Sequence, residues 1–173
     1  MDQDLIALLD GWDDRDDPFG DLMAVLGKSL DCDRCLLFLR QPATGLSRMT
    51  HGWSKKPQFE LARDDRGWQP EPASLVADDP MFAEALRNPN ALYIDDIKTA
   101  DPALVNAAYE LENFGHRALI HAPIYHDGQM YGILEPCVFG APRRWNDRDR
   151  NTVDFVQDRI APLVARYVAQ HCG

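Results

Sequence analysis

The chain has 173 residues, 45% of them hydrophobic and 27% charged, which fits one globular domain with enough length to bury a core. Its 28 acidic against 18 basic side chains leave a formal net charge of −10, which repels a phosphate backbone and argues against nucleic acid as a direct partner. No apolar run approaches the roughly 18 residues that span a bilayer, and Met1-Asp2-Gln3-Asp4 lacks the features of an export signal, so no membrane attachment is expected and the cytoplasm is the expected compartment. The four cysteines are then expected to stay thiols.

In chain order, Leu5, Ile6, Leu8 and Leu9 form an apolar helical face that ends at Gly11, and residues 13–18 read as a solvated acidic turn. Leu22, Val25, Leu26 and Leu30 recur at i, i+3, i+4 and i+8, the stripe of a second helix. Residues 35–40 read as a strand whose apolar run over 35–39 shows no alternation, as in a strand covered on both faces, and a turn at residues 42–45 leads to a return strand over residues 46–53. Residues 54–80 carry Pro57, Pro70, Pro72 and Pro80 and predict a long loop without regular structure, of the kind that is usually functional or mobile. A short helix follows over residues 81–87, then a strand over 91–94.

Asp101 as N-cap, Pro102 at the first helical position and Gly115 as the closing residue predict a helix over residues 101–114. Leu104, Ala107, Ala108 and Leu111 would share its buried face, leaving Asn106 in solvent. Strands are predicted over residues 117–125 and 130–139, joined at Asp127-Gly128. That dipeptide suits a type I′ turn with His126 opposite Gln129, so an uninterrupted ladder pairs Ile120 with Glu135 and Ala118 with Cys137. One face then collects Ala118, Ile120, Ala122, Ile133, Glu135 and Cys137, and the other Leu119, His121, Leu134 and Val138. The last helix is capped by Asn146 with Asp149 three residues on, carries a stripe of Val153, Val156, Ile160, Val164 and Tyr167, and should kink at Pro162.

Chemistry-bearing motifs are few. Cys32-x-x-Cys35 lies between a helix end and a strand, without the helix N-terminus that activates redox thiols, and Cys137 and Cys172 do not complete a zinc set. No metal is expected, and the pair reads as a core cysteine and a loop cysteine. His116 and His121, five apart, would fall on opposite faces of an extended strand.

Three segments carry a family likeness: Asp33-Arg34-Cys35-Leu36-Leu37-Phe38-Leu39-Arg40, Ile94-Asp95-Asp96-Ile97, and Gly132-Ile133-Leu134 followed by Pro142-Arg143-Arg144-Trp145. Over roughly residues 18–170 they resemble the GAF modules of phytochromes and cyanobacteriochromes. The resemblance implies a single α+β domain over residues 1–173, with an N-terminal helix and acidic turn over 1–17 and the GAF core and C-terminal helix over 18–170. It implies an antiparallel sheet of about five to six strands, helices on both faces, and terminal helices packed together. It also implies a non-catalytic sensory or regulatory role.

In that family's alignment the bilin-attaching cysteine falls on Asn106, its neighbouring histidine on Ala107 and a last-strand histidine on Cys137, so no covalent bilin is expected. Any ligand would be a small molecule held non-covalently, with Glu135, Cys137, Ile120 and Tyr93 as pocket candidates and Trp53 and Trp68 bordering the loop that closes it. Buried, Glu135 would need a cationic or hydrogen-bonding partner; alternatively Pro136 marks an edge or bulge that turns it to water. Leu5, Leu9, Val156, Ile160, Val164 and Tyr167 are candidates for a dimer or partner surface. The other readings are a pocketless assembly adaptor, in a cyanobacterial photosynthetic setting by resemblance, and reduction of free methionine sulfoxide by paired cysteines, which the unactivated thiols disfavour.

Overall fold

The computed structural model describes residues 1–173. In chain order the elements are α1 (Gln3–Asp10), α2 (Pro18–Ser29), β1 (Arg34–Gln41), β2 (Leu46–Ser54), β3 (Gln69–Pro70), α3 (Leu75–Asp78), α4 (Pro80–Ala85), β4 (Leu92–Ile94), α5 (Ala107–Asn113), β5 (Ala118–His126), β6 (Gln129–Val138) and α6 (Asp147–His171). Local signals set the long helices. Asp17 caps α2 with Pro18 behind it, and Asn146 and Asp149 form a reciprocal capping box at the start of α6. The strands form one six-stranded sheet in the order β3-β2-β1-β6-β5-β4, antiparallel throughout. This is the α+β architecture expected. No helix is long and apolar enough to cross a membrane.

α1, α2 and α6 cover one face of the sheet. There Leu5, Leu9, Leu22, Leu26, Val156, Ile160 and Val164 pack against Leu37, Leu39, Ile120, Ala122 and Leu134 in the main core. Each such side chain contributes about 1.5–3 kcal/mol by leaving water. The expected partner surface is therefore consumed within the chain: Leu5, Leu9, Val156, Ile160 and Val164 are buried, and Tyr167 is half-buried, stacked on His171 at 4.0 Å and edge-on to Phe19 at 5.3 Å. An apolar stripe requires a cover, and here the cover is the domain's own sheet.

The other face carries thinner apolar clusters, one around Met81, Ile97, Val105, Leu119 and Cys137 and another around Phe82, Ala85, Met130 and Ile133. The segment expected to be irregular is not structureless: it contains a 3-10 turn (Pro57–Phe59), edge strand β3 and helix α3.

Two departures from the expected elements shape this face. The helix predicted from Asp101 is broken. Asp101 caps only a turn, Ala103 N–H donating to its Oδ1 at 2.9 Å, and Asn106 leaves helical geometry at φ −87° and ψ 92° to start α5 afresh. Asn106 is therefore half-buried and structural, accepting from Tyr109 N–H at 3.2 Å and donating from Nδ2 to Asp78 O at 2.9 Å.

The β5–β6 ladder also slips. Asp127 (φ 48°) and Gly128 (φ 75°) make the expected turn with His126 opposite Gln129. Tyr125 pairs with Met130 but Ile124 pairs with Gly132, so Tyr131 is bulged out and the next pairs are Pro123 with Ile133 and Ala122 with Leu134. A one-residue bulge exchanges the faces. Ala118, Ile120 and Ala122 join Leu134 under the helices, while Leu119 joins Cys137 on the opposite side. A side chain at Gly132 would put Cβ 2.4 Å from Phe38 O, so the close approach of β1 requires glycine beside the bulge. Pro136 lies on β6, between β1 and β5, and not on an edge; it interrupts the β5–β6 ladder but does not turn Glu135 outward. Glu135 is only 4% exposed.

Candidate functional site

A cavity of about 350 Å³ lies between this second face of the sheet and the segment that covers it. Phe38 of β1, His121 of β5, and Ile133 and Glu135 of β6 form its floor, with Leu75, Phe82, Tyr109 and Phe114 above. At its mouth Arg40 holds Glu71 through two contacts of 2.6 and 3.0 Å, tying β1 to the residues after β3. His121 and Glu135 come together because the bulge places both on the cavity face, across the stretch where the ladder is interrupted.

Beneath the floor is a cluster of buried ionisable groups. Glu110 of α5 is 1% exposed, and its Oε2 lies 2.6 Å from Nε2 of the fully buried His116. Burial pushes the Glu110 carboxyl up to about 8 and lowers the imidazole of His116. Near neutral pH both groups are uncharged, so Glu110 donates to Nε2 and the ring proton sits on Nδ1. That Nδ1 is 3.7 Å from Glu135 Oε1, too far for a hydrogen bond. Burial pushes the Glu135 carboxyl up to about 7 against the opposing pull of His116. It also pushes His121 down to about 3, which keeps that ring neutral.

His116 Nδ1, His121 Nδ1 and Glu135 Oε1 have no hydrogen-bond partner in the protein. An unsatisfied buried polar atom costs about 1–3 kcal/mol, and such atoms facing a cavity are places where a ligand or water atom binds. The neighbouring polar groups are engaged, apart from Arg34 Nε, which also has no partner. Asp79 accepts from Phe82 N–H at 3.1 Å as the cap of α4. Arg34, behind the floor, donates to Phe59 O at 3.2 Å and Phe114 O at 3.0 Å and lies 4.8 Å from the Phe139 ring centroid.

Of the six pocket candidates, Glu135 lines this cavity and the other five do not. Cys137 shares its face but is sealed among Met81, Ile97 and Leu119. Ile120 faces the helices. Tyr93 pairs with Ile120 and lies under the Arg150 guanidinium, 4.1 Å from its ring centroid, beside α6. Trp53 rests on α2 at Gly27, and Trp68 packs against the same helix-side core. His116 and His121 join one cluster, because His116 precedes β5 and strand alternation does not reach it. Phe38, Phe82, Tyr109, Phe114 and His121 are not singled out by any sequence pattern; Gly132 within a strand is the one sign of the bulge that brings His121 to this face.

All four cysteines are free and buried, and none lines the cavity. Burial pushes the Cys32 thiol up to about 12 and raises Cys35, whose Sγ is 3.7 Å from Met23 Sδ, so both stay protonated. No three His, Cys, Asp or Glu side chains are grouped to hold a metal ion.

A six-stranded antiparallel sheet, with terminal helices on one side and a half-open cavity on the other, defines the class of α+β modules that hold a site against one sheet face. The GAF domain model matches residues 14–164, and the chain belongs to the GAF domain family. Comparison with curated protein sequences gives no match. Among solved structures, the chain is similar to GAF3 of Slr1393 from Synechocystis sp. in its photoproduct state, with 24% identity, 86% of this chain and 90% of that one covered, and a TM-score of 0.61. It is similar to the phycocyanobilin-bound GAF domain of a cyanobacterial phytochrome at 15% identity, with 99% of each chain covered and a TM-score of 0.72. The GAF domain of an Acinetobacter phosphoenolpyruvate-protein phosphotransferase is similar at 8% identity, with 98% and 97% covered and a TM-score of 0.66. At these identities the likeness establishes the fold alone.

Proposed function

We propose that the chain acts as a non-catalytic sensory or regulatory GAF domain, which takes up a small molecule non-covalently in the cavity and passes its occupancy on through protein contacts. The observation that carries this reading is the apolar-walled space of about 350 Å³ with Glu135 Oε1 and His121 Nδ1 unpartnered at its floor. Ligand sites run from about 300 to 1,000 Å³, with a few convergent polar groups among apolar walls, so this volume suits a small metabolite. No thiol borders the cavity to form a covalent bond. An adaptor with its pocket filled by its own side chains accounts for neither the space nor the unpaired atoms.

The sheet is the shared wall between input and output. Glu135 and Ile133 face the cavity, while Leu134 between them faces the core that holds Val156 and Ile160 of α6. Gln157 of α6 further donates to Pro123 O of β5 at 2.7 Å. A shift of β6 on ligand uptake is thereby transmitted to the long terminal helix.

The test is a thermal-shift screen of metabolites followed by amide chemical-shift mapping. At least one compound is expected to raise the melting temperature and perturb the amides of Phe114, Ile133 and Glu135, and Ile133→Trp, which fills the cavity, is expected to abolish both effects. Hits that perturb only helix-side amides, or survive Ile133→Trp, would place binding elsewhere and end this reading.

A further inference from the structure

The cavity's charge pattern bears on what it binds. Four carboxyl side chains line it, and of these Glu135 and Asp79 have no arginine or lysine partner. The basic side chains at its border are already engaged or turned away: Arg40 is paired with Glu71, and Arg66 with Asp64 at 2.6 Å. Arg48 stands opposite Leu39, which faces the helix-side core, and its charge acts on Tyr167 there. An anionic ligand would therefore meet carboxyls with no unpaired cation to offset them.

Aromatic rings stand on the floor and above it. Phe38 and Phe114 meet edge to face with centroids 6.1 Å apart, Tyr109 and Phe114 lie 6.2 Å apart, and Phe82 borders the same space. Ring faces around an acidic floor favour positive charge, because the aromatic quadrupole and the carboxylate attract it together. Among the carboxyls of the lining, Glu135 carries an oxygen, Oε1, without a hydrogen-bond donor, on a side chain 4% exposed.

Resting on the ligand-binding reading above, we propose that the cavity takes a small organic cation, an amine, amidine or protonated nitrogen heterocycle, whose N–H groups bond Glu135 Oε1 and whose charge lies against Phe38, Phe82, Tyr109 and Phe114. The groups that surround Glu135 are Glu110 of α5, His116 ahead of β5, His121 of β5, Asp79 at the start of α4 and Arg34 of β1. Burial holds Glu135 protonated to about pH 7 when no cation lies beside it. Binding of a cation of fixed charge then displaces one proton from Glu135, so affinity rises with pH through that region.

Benzamidine, benzyl alcohol and benzoate are matched aromatic probes that differ in charge. Binding to the full chain is measured by calorimetry and amide chemical-shift mapping at about pH 6 and about pH 8. Benzamidine is expected to bind about tenfold or more tightly than either of the others, as one charge-assisted hydrogen bond would give, and more tightly at the higher pH. Glu135→Gln is expected to remove that advantage, bringing benzamidine down to the affinity of benzyl alcohol; the wild-type selectivity and pH trend decide the matter even if the variant does not fold. Benzoate or benzyl alcohol binding at Phe114 and Ile133 as tightly as benzamidine would overturn the cation assignment and leave the ligand site standing. If neither the probes nor the metabolite screen perturbs those amides, the ligand-binding reading and this inference fall together.

Discussion

Glu135 should cost the fold stability above neutral pH, and Glu135→Gln should recover it. The ordinary carboxyl value is 4.5 and burial raises that of Glu135 to about 7, a difference of between two and three pH units at about 1.4 kcal/mol each, or about 3 kcal/mol. The folded chain holds this proton more tightly than the unfolded chain. The stabilising contribution is therefore complete below about pH 4.5 and is lost as pH rises through about 7. Glutamine keeps the shape without the ionisation, and Oε1 has no hydrogen bond to lose. In urea unfolding, the variant is expected to exceed wild type by up to about 3 kcal/mol near pH 9, with the gap closing towards pH 5. Glu110, raised to about 8, acts in the same direction, so wild type and Glu135→Gln should both still weaken in alkali. His121 acts oppositely: held neutral down to about pH 3, it stabilises above its ordinary 6.5 and that contribution fades as pH falls to about 3. A Glu135→Gln variant weakened equally at both pH values would refute the reasoning, since it would show that the carboxylate is paired and favourable. A carboxylate that weakens the fold is a mark of a functional site.

Gly27→Ala places Cβ 2.3 Å from the Trp53 ring, whereas Gly20→Ala in the same helix meets nothing within 4 Å. The first should destabilise by about 1–3 kcal/mol and alter tryptophan fluorescence, and the second should stabilise by about 0.5–1 kcal/mol; equal melting shifts would dismiss the contact. Ile160→Ala empties a fully buried site and should cost about 2–5 kcal/mol in urea unfolding, with no change of association state in sedimentation; altered association at unchanged stability would instead make the α6 stripe a partner surface. Asn106→Ala removes the α5 cap and should cost about 0.5–2 kcal/mol, with faster hydrogen exchange at Tyr109; unchanged exchange there would deny the cap its role.

The elements that local chemistry specifies are legible in the amino-acid sequence. Asn146 with Asp149, Asp127-Gly128 and the stripes of α1, α2 and α6 each act within a few residues, and all form where expected. The α5 region is legible only in part. Both Asp101 and Asn106 can cap, and the choice is settled by Asp78 O, which lies 28 residues away in sequence and accepts the Asn106 Nδ2–H.

By itself, then, the sequence determined the long helices, the long strands and the α+β class, because capping, turn chemistry and apolar period act along a short stretch of chain. Tertiary structure decided what covers each stripe and which side chains meet. The bulge at Tyr131 depends on β1 pressing against Gly132, a contact invisible in a hairpin taken alone, and one residue of slip exchanges Ile120 for His121 at the cavity. Glu110, His116, His121 and Glu135 become one buried cluster only when α5, β5 and β6 are packed together. Their protonation follows from burial, which a sequence does not state.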